Sequence, residues 1–89
     1  MAEEYSYLAS RRFVKNWSRL SLKTKNKTVE KIDLFLKDPY LPALKTHKLT
    51  GKLKNYWSFS VSYNRRIMFR FAGSKMVEFI DIGGHEIYK

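Results

Sequence analysis

The chain has no cysteine among its 89 residues. Disulfides and thiolate metal sites are therefore excluded as sources of stability, and a reducing cytoplasm is the expected compartment. Histidine is scarce, with His47 and His85 alone. A divalent metal wants three or more protein ligands or several carboxylates. Only Asp81 and Glu86 lie near a histidine in sequence, so no metal and no cofactor is expected. No stretch is apolar for long enough to span a bilayer, and Met1-Ala2-Glu3-Glu4-Tyr5 lacks the apolar core of a signal peptide. A Walker-type phosphate loop, a GxGxxG fingerprint and a nucleophile elbow are all missing; Gly83-Gly84 by itself reads as a turn. Without repeats, low-complexity segments or linkers, residues 1–89 are expected to form one domain with a small core.

Acid is the other deficit. Lys and Arg number 18 against 8 Asp and Glu, a formal net charge of +10. From Glu4 to Glu30 the chain carries Arg11, Arg12, Lys15, Arg19, Lys23, Lys25 and Lys27 with no acid between. From Asp38 to Glu78 it carries Lys45, Lys48, Lys52, Lys54, Arg65, Arg66, Arg70 and Lys75, again with none. A field this one-sided attracts polyanions and speeds their encounter, which points to nucleic acid, to an acidic protein partner, or to both.

The abundant residues are aromatic, and their spacing gives the fold. Trp57, Phe59, Val61 and Tyr63 alternate with Tyr56, Ser58, Ser60 and Ser62. Ile67, Phe69 and Phe71 alternate in the same way with Arg66, Met68 and Arg70. Period two is the mark of a strand with one face in a core, so the two runs predict a hairpin around Asn64-Arg65. A loop of just those two residues would set Tyr63 against Arg66 and Val61 against Met68, mixing the faces. An odd-length loop or a bulge is needed to bring Val61 level with Ile67 or Phe69. The serine row would then lie beside Arg66, Met68 and Arg70 as an open, basic, wet face.

Upstream, Glu4 to Leu8 alternates like an edge strand. Ser10 offers an N-cap to a helix through Leu20, with Phe13, Trp17 and Leu20 on one face. Ser21 offers a second N-cap, and Val29, Ile32, Phe35 and Leu36 keep helical spacing until Asp38-Pro39 ends the helix. Pro39 to Pro42 reads as a turn, Leu44 to Leu49 as a brief strand, Thr50-Gly51-Lys52 as a loop. After a Gly73-Ser74 turn, Met76 to Ile82 is apolar on both faces, as in a strand inside a sheet. The expected architecture is α+β: two N-terminal helices in an antiparallel hairpin, packed on one face of a mainly antiparallel, twisted sheet of about four strands.

The candidate chemistry lies in His47, Lys48, Lys52, Lys54, Tyr56, Arg65, Arg66, Arg70, His85 and Tyr88. Metal-free RNA cleavage needs a base for a ribose 2′-hydroxyl, cations for the phosphorane and an acid for the leaving 5′-oxygen. Imidazole, with a reference pKa of ~6.5, suits either proton role. The arginine fork suits the phosphorane, and exposed rings can stack an unpaired base.

The order of these residues adds to their types. His47-Lys48-Leu49-Thr50-Gly51, then Tyr56-Trp57-Ser58 and Val61, then Arg66-Ile67-Met68-Phe69-Arg70, and last Ile82-Gly83-Gly84-His85-Glu86-Ile87-Tyr88 resemble the RelE/ParE toxin superfamily, nearest to its RelE/StbE and YafQ-like branch. Two basic helices ahead of the sheet also follow the family's order. The resemblance implies a bacterial type II toxin that enters the ribosomal A site and cuts mRNA there, held inactive by a cognate antitoxin and meeting operator DNA only through that complex. By position it implies Arg66 as the transition-state arginine, His85 as the C-terminal catalytic histidine, and His47 as the histidine ahead of the Leu-x-Gly segment. Tyr88 lies near the family's terminal aromatic. Lys52 and Lys54 fall where relatives place catalytic or phosphate-binding lysines. YafQ-like members carry a second histidine where this chain has Ser60, and an aspartate near Asn64. Either lysine contributes to proton transfer, then, or His47 and His85 share both roles. Two other expectations compete: a ParE-like toxin that binds DNA gyrase without catalysis, and a plain nucleic-acid-binding module.

Overall fold

The computed structural model describes residues 3–88; of the acidic N-terminal run, Met1 and Ala2 lie outside it. Five strands form one sheet: β1 (Ser6–Ala9), β2 (His47–Lys48), β3 (Trp57–Ser62), β4 (Arg65–Gly73) and β5 (Met76–Gly83). Their spatial order is β1-β5-β4-β3-β2. Only β1 against β5 is parallel; the other three pairings are antiparallel. The expected four strands are thus five. Of the expected Leu44 to Leu49 strand only β2 remains, pairing His47 with Ser58 and Lys48 with Trp57, since Leu44 closes a 3-10 turn over Pro42–Leu44.

Two helices, α1 (Arg11–Ser18) and α2 (Leu22–Lys37), begin at the serines the sequence nominates. Ser10 accepts a hydrogen bond from the Phe13 amide and Ser21 one from the Thr24 amide, each satisfying a donor that the first helical turn leaves open. Asp38 closes α2 immediately before Pro39. α1 stops at Ser18, two residues short of the expected Leu20, where the chain turns toward the second cap.

Aromatic rings meet in the middle. Phe35 of α2 stacks on Phe59 with ring centroids 4.1 Å apart and meets Phe69 edge-on at 4.8 Å. Phe13 of α1 reaches Phe79 at 5.4 Å. Phe35, Phe59, Phe69, Phe79, Leu44, Ile67 and Val77 are fully buried. Each ring so buried contributes about 1.5–3 kcal/mol by area alone, with a little more from the offset and edge-on geometry.

The hairpin solves its register with a bulge. Phe59 faces Ile67, Trp57 faces Phe69, and Ser60 faces Arg66, after which the ladder shifts and Ser62 faces Arg65. Val61 is the extra residue. It enters the core without lying level with Ile67 or Phe69, and the loop becomes Tyr63-Asn64 rather than Asn64-Arg65. Tyr63, expected on the apolar face, is therefore thrown onto the hairpin tip, where it is 98% exposed.

The serine face is not the open surface its alternation suggests. Ser58, Met68 and Asp81 are all buried. The last residues fold into a 3-10 turn, His85–Tyr88, whose Ile87 is buried and whose Tyr88 hydroxyl shares a 2.6 Å hydrogen bond with Ser58. Alternation along β3 and β4 cannot reveal a cover supplied by a segment with no period of its own.

Candidate active site

Two register lines cross the sheet under this turn. One runs His47, Ser58, Met68, Asp81; the next runs Ser60, Arg66, Gly83. Residues two apart along a strand share a face, and directly opposite side chains keep their Cβ atoms about 4.5–5.5 Å apart. His47, Ser58, Ser60 and Arg66 are thus brought to one face. Tyr88 joins them through Ser58. His85, two residues past Gly83, stands with its ring 6.2 Å from that of Tyr88.

Arg66 is the notable member. Its Nε is buried and has no hydrogen-bond partner among the described residues. Buried donors are nearly always paired, so an unmet guanidinium N–H beside two serines favours an anion. His47 is exposed, and its Nδ1 lies 2.9 Å from the Lys45 carbonyl oxygen. A carbonyl can only accept, so Nδ1 carries the proton, and in the neutral ring Nε2 keeps its lone pair.

The turn that carries His85 and Tyr88 is held from α1. Arg12 Nε lies 2.7 Å from Asp81 Oδ2, and the same guanidinium donates through Nη2 to the Ile87 carbonyl at 3.1 Å. Asn16 donates to Asp81 Oδ1 at 2.6 Å, and the Ile82 amide donates to the same oxygen at 2.8 Å. The buried carboxylate is fully engaged, as a buried charge must be. At the near end of the turn the Gly84 amide donates to Glu86 Oε1 at 2.9 Å. That hydrogen bond, followed by one from the Glu86 amide, holds the Glu86 carboxyl below the usual carboxylate range. A Cβ on Gly83 would lie 2.7 Å from both Glu86 Oε1 and Ile87 Cγ2, so a side chain there would displace the turn's own residues.

The remaining sequence candidates are dispersed. Lys48 sits on the edge strand β2, and Lys52 and Lys54 lie at a 3-10 turn over Gly51–Leu53, all exposed. Tyr56 is half-buried where the chain enters β3. Arg65 lines a separate cleft with Arg12, Arg19 and Glu86. Arg70 is engaged by Glu78, its register neighbour, at 2.6 Å. Sequence reading missed Arg12, Asn16 and Asp81. The one signal available was Asp81 itself, an acid set between Ile80 and Ile82 near the end of a largely apolar strand.

No family sequence profile and no curated protein matches the chain. Solved structures do. YafQ from Escherichia coli superposes with a TM-score of 0.76 at 19% identity, covering 96% of this chain and 98% of that one. A YoeB/ParE toxin from Agrobacterium tumefaciens gives 0.75 at 21% identity, over 90% and 98% of the two chains. The toxin–antitoxin complex RelBE2 from Mycobacterium tuberculosis gives 0.76 at 14%, over 92% and 99%.

Proposed function

We propose that this chain, which has the fold of the RelE/ParE-type toxins, is the toxin of a type II toxin–antitoxin pair and cuts mRNA on the ribosome without a metal. The observation that carries the reading is the buried, unpartnered Nε of Arg66, beside Ser60 and on the same face as His47. In this reading His47 Nε2 takes the proton of a ribose 2′-hydroxyl, and the oxygen attacks the adjacent phosphorus. Arg66 binds the phosphorane oxygens, where charge accumulates in the transition state. The P–O5′ bond then breaks as His85 gives its proton to the leaving oxygen. The products are a 2′,3′-cyclic phosphate and a 5′-hydroxyl. Lys48, Lys52, Lys54 and Arg65, spread around that face, attract the flanking backbone, and Tyr56 and Tyr88 offer rings to bases.

The test adds the purified protein to translating ribosomes and maps 5′ ends on the mRNA, with Arg66→Ala and His85→Ala alongside. Each variant should lose on the order of 10²–10⁴-fold in cleavage rate while keeping its fold. Undiminished cleavage and growth arrest by both would overturn the reading.

A partner is expected as well. RelBE2 is itself a toxin–antitoxin complex. Here an apolar trough of about 310 Å³, lined by Tyr7, Val14, Trp17, Val29, Ile32 and Leu36, stands open beside basic helices. An acidic antitoxin segment with apolar anchors suits both features. Likeness to a YoeB/ParE toxin keeps the ParE-like expectation of a non-catalytic gyrase binder as the second reading; inhibition of supercoiling without mRNA cleavage would reverse the order.

A further inference from the structure

β2 covers only Trp57 and Ser58 of β3, so among the described residues the outer edge of β3 beyond Ser58 pairs with no strand. A cleft of about 350 Å³ opens there, between α2 and the loop before β2. Three of its lining residues are cations, Lys31, Lys45 and Arg66, and none is an acid. Two further clefts with basic linings contain carboxylates, Asp81 and Glu86 in one and Glu30 in the other. This one is uncompensated. Ser60 and Ser62 add hydroxyls, and Tyr63 stands at the rim with its ring 98% exposed. Lys45 is held in the left-handed backbone region at φ 51, an uncommon conformation for a residue with a side chain. Its carbonyl is also the one that orients His47, so the cleft is built into the same loop as the proposed base.

We propose that this cleft is a nucleotide subsite next to the cleavage point. Lys31 and Lys45 hold the phosphodiester adjacent to the scissile one, and Tyr63 stacks that nucleotide's base. The inference rests on the RNA-cleaving reading, because Arg66 lines both the cleft and the catalytic face. Cations without acids recognise the phosphate, hydroxyls suit its free oxygens, and an exposed ring fits an unpaired base rather than a duplex. An acidic peptide would engage the same lysines, and the test below separates it from RNA.

Two measurements test it on the full chain: steady-state cleavage of mRNA on ribosomes, and anisotropy of a labelled tetranucleotide whose 2′-hydroxyls are methylated so that it cannot be cut. Tyr63→Ala and Lys31→Ala should each weaken the oligonucleotide about five- to a hundred-fold and raise KM in step, with kcat changed little. Tyr63→Trp should restore binding, and Lys31→Ala should lower the salt slope by about 0.7. Tyr63 carries no packing, so an unchanged Tm is expected for Tyr63→Ala. If both variants bind and cleave as wild type does while Arg66→Ala is inactive, the subsite is wrong and the cleavage reading stands. If wild type cuts nothing yet binds the oligonucleotide through Tyr63, the cleft is a nucleotide site but not one beside a cleavage point, and the cleavage reading fails with that placement. Loss of affinity for an acidic peptide of glutamates in Lys31→Ala, with oligonucleotide binding untouched, would assign the cleft to a protein partner and overturn the proposal.

Discussion

Arg12 is the residue on which the proposed site most depends without touching it. Its guanidinium joins α1 to Asp81 and to the Ile87 carbonyl, and the turn so held carries His85 and Tyr88. Removing it leaves the Asp81 carboxylate buried with fewer donors, which in comparable settings costs about 3–5 kcal/mol. Because Arg12 is itself half exposed, water will replace part of what is lost, and the measured figure should fall toward the lower end. Arg12→Ala should therefore lower Tm and reduce kcat. Asp81→Asn tests the same contact with shape retained: it should cost stability while leaving Arg66 free to bind phosphate, so KM should change less than kcat. Glu86 gives a pH prediction. Its carboxyl is held low in the fold by the Gly84 amide and then by its own, so the folded state binds this proton less readily than the unfolded chain. The contribution is complete above the ordinary carboxylate range and is lost as pH falls through the lowered folded value. NMR titration of the Glu86 carboxyl should show the low midpoint, and Glu86→Gln should remove that part of the acid dependence of stability.

At the scale of elements, Ser10 is the joint between helix and sheet. Its hydroxyl accepts from the Phe13 amide at 3.1 Å and donates to the Ile80 carbonyl at 2.6 Å, and Ile80 is the residue left over where Asp81 faces Met68 and Phe79 faces Phe69. Ser10→Ala loses the cap and leaves that carbonyl without this donor, an expected cost of about 0.5–2 kcal/mol, readable in a denaturation midpoint. Both caps, the proline stop and the strand runs were legible in the sequence because each is a local choice: a side chain beside its own backbone, or a period of two. The need for a bulge was legible from face matching, but not its place at Val61, since that is decided by which residue the core accepts. The terminal turn was not legible as a cover. His85 and Tyr88 could be nominated by resemblance, whereas the Tyr88–Ser58 bond spans 30 residues and the Arg12–Ile87 bond spans 75. No window on the chain contains both ends of either. The same reason hid the basic cleft: Lys31, Lys45 and Arg66 come from three separate elements and meet only where β2 stops short.

For the molecule as a whole, the governing quantity is uncompensated positive charge. The chain carries a formal +10, yet among the described residues only two ion pairs form, Arg12 with Asp81 and Arg70 with Glu78. The core that resists the resulting repulsion is small and centred on Phe35, so Phe35→Ala should cost about 3–5 kcal/mol, a large share of the 5–15 kcal/mol such a domain has in total. Self-repulsion destabilises a compact state, and simple salt screens it, the Debye length falling from about 10 Å at 0.1 M to about 3 Å at 1 M. Tm should therefore rise as sodium chloride is added over that range. A polyanion such as heparin should raise it further at low ionic strength, because it binds the folded charge pattern, and stabilisation by a ligand grows with its concentration over Kd. That second increment should vanish in high salt, as counterion release ceases to favour binding. A Tm that stays flat in salt would mean the cations are spread widely enough not to repel. Flat in salt and in heparin together, it would remove the electrostatic argument for a polyanionic partner, and with it the case for reading the Arg66 face as a place where RNA is drawn in before it is cut.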